Sequence, residues 1–87
     1  MSYELILKRS AEKQLHRLSP AFQGRIIEKL ASLGRSPRPA GAVKLAGAST
    51  AWRVRVGDYR IVYEINDAAQ KLFVTIIAHR REVYRGL

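Results

Sequence analysis

The chain contains no cysteine, one tryptophan, one methionine and two phenylalanines in 87 residues. Without thiols, neither a disulfide framework nor a thiolate metal site is available. Acidic groups are also scarce, with seven Asp and Glu against sixteen Lys and Arg. Such few, scattered carboxylates leave a two-metal nuclease site or a catalytic carboxylate pair without obvious ligands. There is no Gly-rich phosphate loop, and the serines lack a His/Asp relay. No apolar run reaches the length of a membrane span, and the opening MSYELILKRS has neither the long apolar stretch nor the cleavage site of a signal peptide. The expectation is a cytoplasmic protein with no cofactor and no membrane partner.

What is present is positive charge, a formal +9. That balance favours a polyanionic partner. The basic residues occur in every segment, so folding must create any face that concentrates them. A membrane-surface protein would carry them on one basic amphipathic helix. Here the notable arginines sit on strand-like segments, and nucleic acid is the better partner. The length allows one domain, residues 1–87, which buries only about 60–65% of the surface its unfolded chain exposes.

The pattern along the chain specifies an α+β fold. Tyr3, Leu5 and Leu7 alternate with polar neighbours and predict a strand over residues 3–8. Ser10 is placed as an N-cap, and Ala11, Leu15 and Leu18 follow at helical spacing to about Arg17. Ser19-Pro20 restarts a helix, serine as cap and proline in the first turn. Phe22, Ile26, Leu30 and Leu33 form its apolar stripe, and Gly34 is expected to end it. Residues 34–41, GRSPRPAG, read as a loop within the domain. From Lys44 onward the period becomes two. Residues 51–56 and 59–65 flank Gly57-Asp58, a two-residue turn with glycine where a type II′ turn needs it. A second turn at residues 66–70 precedes KLFVTIIA, a central or well-covered strand. The sum is an N-terminal strand, a helical hairpin and a three-stranded antiparallel meander, with the helices packed on one face of the sheet.

The two-residue turn fixes the register: Val56 opposite Tyr59, Arg55 opposite Arg60, Val54 opposite Ile61, Arg53 opposite Val62 and Trp52 opposite Tyr63. Opposed residues share a face. Trp52, Val54, Val56, Tyr59, Ile61 and Tyr63 are therefore the side that receives the helices. Arg53, Arg55 and Arg60 lie on the other side, with Glu64 further along. Placing Arg55 directly across from Arg60 opposes folding, and a face selected for solubility alone would alternate signs. Arginine's planar fork holds phosphate oxygens bidentately, so the cluster reads either as a solvated basic face or as a phosphate site on a rigid element.

Elsewhere, His16 falls on the polar side of the first helix. His79 ends the last strand, just before Arg80 and Arg81, as a proton-transfer group or a strand-end polar residue. Tyr84 either stacks on a base, supplies a hydroxyl or packs the C-terminal end. Lys44, Arg81 and Arg85 are expected as further RNA-binding groups. With these side chains, any catalysis falls to arginines, tyrosines and His79. RNA transesterification fits, because the 2′-hydroxyl is an internal nucleophile and the protein need only position the backbone, stabilise charge and move protons.

The segments KLAG, WRVRVGDYRIVYEI and IIAHRREVY, in this order behind a strand and a helical hairpin, resemble the RelE/ParE superfamily of toxins from toxin–antitoxin pairs. Within it the chain looks closest to RelE-type mRNA interferases. The resemblance implies a metal-independent endoribonuclease that cleaves mRNA on the ribosome, with an antitoxin protein, the ribosome and mRNA as partners. It also implies catalytic roles for Arg53, Arg55, Arg60, Arg80 and Tyr84, with His79 as a further candidate. RelE relatives often carry lysines where this chain has Arg53 and Arg55, which favours charge stabilisation over lysine-based proton transfer. The alternatives are a ParE-type toxin that inhibits DNA gyrase through protein contact, and a non-catalytic RNA-binding module.

Overall fold

The local signals become seven elements in the computed structural model, which describes residues 2–45, 47 and 50–81. In chain order these are β1 Glu4–Leu7, α1 Arg9–His16, α2 Pro20–Arg35, β2 Val43–Lys44, β3 Ala51–Val56, β4 Tyr59–Asn66 and β5 Lys71–His79. The five strands form one mixed sheet in the order β1-β5-β4-β3-β2. β2, β3, β4 and β5 are successively antiparallel, and β1 runs parallel to β5. Both helices lie on one face. Their Ala11, Leu15, Ile26, Leu30 and Leu33 pack against Val54, Ile61, Tyr63, Leu72, Val74 and Ile77 of the sheet. Each described helix is too short or too polar to cross a membrane.

Every pair expected across the Gly57-Asp58 turn is observed, Arg55 opposite Arg60 included. Gly57 has φ +58° and Asp58 keeps a negative φ, as a type II′ turn requires. Ser19 caps α2 as expected, its Oγ accepting from the Phe22 amide at 3.4 Å with Pro20 in the first turn.

Three local expectations change. Ser10 is not a cap, because α1 starts at Arg9 behind Lys8. Its hydroxyl instead donates to the Thr75 carbonyl at 3.2 Å. Gly34 does not end α2, which runs to Arg35. Gly34 is needed where β1 enters: its carbonyl accepts from the Tyr3 amide at 2.7 Å, and a Cβ there would stand 3.3 Å from the Tyr3 carbonyl oxygen. The third change is β2, a two-residue strand on the edge of β3, too short to leave a period in the sequence.

The length of β1 also shapes the molecule. It covers β5 only from Lys71 to Val74. Beyond that point α1 attends the strand, through the Ser10–Thr75 bond and through Gln14 Oε1, which accepts from the Ile77 amide at 2.8 Å. A buried edge needs such partners, and side chains of a helix supply them here.

Candidate functional site

The strand alternation sends Arg53 and Arg55 of β3 and Arg60 of β4 to the sheet face away from the helices. Arg60 is opposite Arg55 on one side and Ala78 on the other, and Arg53 is opposite Val62. Val62, Ala78, Leu45 and Ile76 form a small apolar cluster on this same face, so the arginines border an apolar floor. Arg60 is half-buried, and its Nη1 donates to the carbonyls of Gly57 and Tyr59 at 3.3 and 3.1 Å. These bonds bend the guanidinium back over the hairpin turn and fix its position.

Arg80 enters the cluster through the same turn. Its amide donates to the Asp58 carbonyl at 2.7 Å, and its Nε lies 3.9 Å from the Asp58 carboxylate, both side chains well exposed. Arg60 registers the crowding. Its pKa is held below the ordinary arginine value, first by burial and then by the charges of Arg55, Arg53 and Arg80, with Asp58 acting the other way. Such a cluster raises the local positive potential at one end of the sheet and is relieved by an incoming anion.

The other residues named from the sequence separate into distinct places. His79 pairs with Tyr59, on the helix-facing side, and their rings meet edge to face at 5.7 Å. It therefore backs onto the arginine face instead of joining it. Its Nδ1 accepts from the Arg81 amide at 3.3 Å, and Arg81 itself is exposed at the same end. Lys44 pairs with Trp52, which puts it on the opposite face from Arg53. Tyr84 and Arg85 lie outside the described residues. Among the described residues no three His, Asp or Glu side chains converge as metal ligands. Asp58 is the member of the site that charge counting passed over; its position in the turn between Arg55 and Arg60 was the available signal.

This architecture has close relatives. The family described as the ParE toxin of type II toxin–antitoxin systems, parDE, matches residues 5–84. Toxin RelG of Mycobacterium tuberculosis is 27% identical over 86 residues, covering 98% of this chain and 99% of that protein. The RelE–RelB complex of the archaeon Pyrococcus horikoshii OT3 contains a chain that superposes with a TM-score of 0.82 at 27% identity, covering 92% of this chain and 97% of the other. The intact RelBE toxin–antitoxin complex of E. coli contains one with a TM-score of 0.79 at 26% identity, covering 90% and 96%. With nearly its whole length matched, the chain belongs to the ParE toxin family and is a type II toxin of the RelE/ParE superfamily.

Proposed function

We propose that this toxin is a RelE-type mRNA interferase, cutting ribosome-bound mRNA by attack of a 2′-hydroxyl on the adjacent phosphate. The observation that carries the reading is the convergence of Arg53, Arg55, Arg60 and Arg80 at one end of the open sheet face, with Arg55 and Arg60 directly opposed. In this reaction the 2′-oxygen bonds to phosphorus, the bond to the 5′-oxygen breaks, and the proton passes from the 2′-hydroxyl to the leaving oxygen. The phosphorane between these states carries extra negative charge, and positioned arginines stabilise it more than they stabilise the ground state. Arg55 and Arg60 are assigned to the non-bridging oxygens, Arg53 to the flanking backbone and Arg80 to the leaving-group side. Arginine is a poor proton carrier, so proton movement is assigned to Tyr84 and water. The similarity to toxins solved with RelB antitoxins supports an antitoxin partner, and the +9 charge favours one whose binding segment is acidic as well as apolar.

The matched family's description as a ParE toxin favours one other reading, the ParE-type toxin that the sequence resemblance directs at DNA gyrase. Such a protein poisons its target by contact and has no use for a phosphate-cleaving cluster. One experiment separates the two: translation in a purified system with the toxin added, mapping of mRNA ends, and a parallel supercoiling assay with gyrase. Interferase activity leaves 2′,3′-cyclic phosphate or 3′-phosphate ends and leaves gyrase active. Intact mRNA with inhibited gyrase, or cut ends bearing 5′-phosphate and 3′-hydroxyl, overturns the proposal.

A further inference from the structure

Behind the arginine face, at the same end of the sheet, three rings line up. The Arg25 guanidinium lies over Phe22 at 5.1 Å, Phe22 meets Tyr59 at 5.0 Å, and Tyr59 meets His79 at 5.7 Å. All three rings are half-buried, neither sealed in the core nor fully in solvent. Beside Tyr59 and His79 opens a groove of about 430 Å³ between the end of α1 and the ends of β4 and β5. Its walls come from Gln14, Arg17 and Leu18 on one side and Tyr59, Ile77 and His79 on the other. The groove exists because β1 is short: past Val74 it no longer covers β5, and α1 reaches the strand only through side chains. By the alternation of the β4–β5 ladder, the Ile77 carbonyl and His79 amide point to the α1 side, as the Ile77 amide does in bonding Gln14.

We infer that this groove is a base-binding slot, which takes an unstacked base of single-stranded RNA next to the phosphate held by the arginines. The inference rests on the interferase reading and extends it to a second subsite. The chemistry fits a base on every wall. Tyr59 and His79 offer π-faces and edges, Leu18 and Ile77 an apolar lining, and Arg17 a cation at the mouth. Flat rings flanked by cations are how single strands are held without dependence on sequence. The geometry supplies continuity as well. Tyr59 and Arg60 are consecutive on one strand and project to opposite faces, so RNA bent over the Gly57-Asp58 turn reaches both together. An acidic, apolar protein segment would meet the same cations and rings, but only a strand whose phosphate sits at the arginines continues across the Gly57-Asp58 turn into the slot, so RNA is the better occupant.

The test is equilibrium binding of a short single-stranded RNA, 2′-O-methylated throughout so that no hydroxyl can attack, with one 2-aminopurine stepped along its length. At low salt the +9 toxin binds it, and at one position the fluorescence is quenched by stacking. Replacing that base with an abasic site weakens binding by roughly tenfold, about the worth of one stacked base. Tyr59→Leu combined with His79→Leu abolishes the quench and removes the penalty for the abasic site, whereas Tyr59→Phe keeps both. Because Tyr59 also touches the core, Arg17→Ser on the exposed rim serves as a variant with little risk to folding; it weakens binding and reduces its salt dependence. Quenching that persists without the rings, or an abasic RNA bound as tightly as the intact one, overturns the slot. So does a ring variant that binds RNA normally but loses the antitoxin, since the groove then belongs to a protein partner. Arg60→Ala distinguishes the two levels. If it weakens RNA binding while the ring variants do nothing, the slot alone is wrong; if neither changes binding, the RNA reading falls with it.

Discussion

The two ends of the sheet handle charge in opposite ways. At the end where the β4–β5 turn meets the proline-rich loop, Arg38 forms a two-pronged pair with Asp67 at 2.8 and 3.3 Å, and Tyr3 donates to the same carboxylate at 2.6 Å. Arg38 also lies over the Trp52 ring at 5.4 Å, and the Tyr63 hydroxyl donates to the Pro37 carbonyl at 2.6 Å. Every named group there has a partner, and together they tie β1, the loop and the turn into one unit. At the other end, Arg60 is crowded by Arg53, Arg55 and Arg80, and the Asp58 carboxylate reaches Arg80 at a long 3.9 Å. One end contributes to folding. The other is held in place by folding, and on the proposed interferase reading the phosphate of RNA relieves its crowded positive charge.

The strongest way to break this comparison is at Arg60. We expect Arg60→Ala to lower single-turnover cleavage on programmed ribosomes by roughly 10²-fold or more, as loss of one donor to a developing oxyanion does. Its melting temperature should stay near that of the parent, because removing a like-charge pair offsets the loss of the two bonds to carbonyls, one exposed and one part-buried. Arg60→Lys should recover part of the rate, since the charge returns without the fork. Arg55→Glu is sharper still. It converts the opposed arginines into a cross-strand ion pair, worth ~0.5 kcal/mol to the fold, while abolishing cleavage. A variant at this end that loses activity only by unfolding would mean that both ends are structural.

How much of this was legible from residues alone depended on whether the cause was local. The hairpin was, because a two-residue turn determines every pair beyond it, and alternation then separates Arg55 from Val54. The Ser19-Pro20 cap was legible for the same reason. What escaped depended on distant contacts. Gly34 looks like a helix stop, yet its role is set by Tyr3, a residue that meets it only through β1. His79 was readable as a proton-transfer group or a strand-end polar residue, but not its ring contact: one step along a strand reverses the face, and β5 turns it toward Tyr59. β2 has two residues and no period to read. The aromatic row joins α2, β4 and β5, and no window of sequence contains it.

At the anchored end the expected effects are on stability, and the largest involves Tyr63. Burial pushes its pKa up to about 12, from an ordinary value of 10.0. Below pH ~10 the hydroxyl is protonated in both states and its contribution is complete. As pH rises further the unfolded chain ionises first, so stability falls until the folded pKa is reached, by on the order of 2 kcal/mol. Tyr63→Phe should lack that share of the alkaline decline. At neutral pH it should cost about 1 kcal/mol by leaving the Pro37 carbonyl without its donor. Urea melts of both proteins across this range, with cleavage measured at neutral pH, check the pair of statements.

Gly34→Ala tests the junction of α2 with β1. In an open helix this change stabilises by about 0.5–1 kcal/mol. Here the new Cβ meets a backbone carbonyl at 3.3 Å, and that backbone is held by the bond from Tyr3 to Gly34 itself. The neighbour cannot yield without stretching the bond, so the sign should reverse, to a loss of about 1 kcal/mol. Gly24→Ala, where a Cβ meets nothing within 4 Å, should show the ordinary gain and serves as the internal control.

The smallest effect is expected at Asp67. Its carboxyl is held below the ordinary range first by the hydrogen bond from Arg38 and then by that from Tyr3. The linkage follows from that direction: the stabilisation is present above the unfolded aspartate value near pH ~3.9 and disappears as pH falls through the lower folded value. Arg38 and Asp67 are both about half exposed, at 44% and 56%, so water and salt screen the pair and the effect is modest. Asp67→Asn should therefore lower the neutral-pH melting temperature slightly, and the gap to the parent should close in acid and narrow in high salt. Cleavage should not change at all. If Asp67→Asn lowered the cleavage rate of a fully folded protein, the paired end would be coupled to the reaction and the division between the two ends would fail. An unchanged rate, beside the collapse expected for Arg60→Ala, assigns stability to one end of the sheet and chemistry to the other.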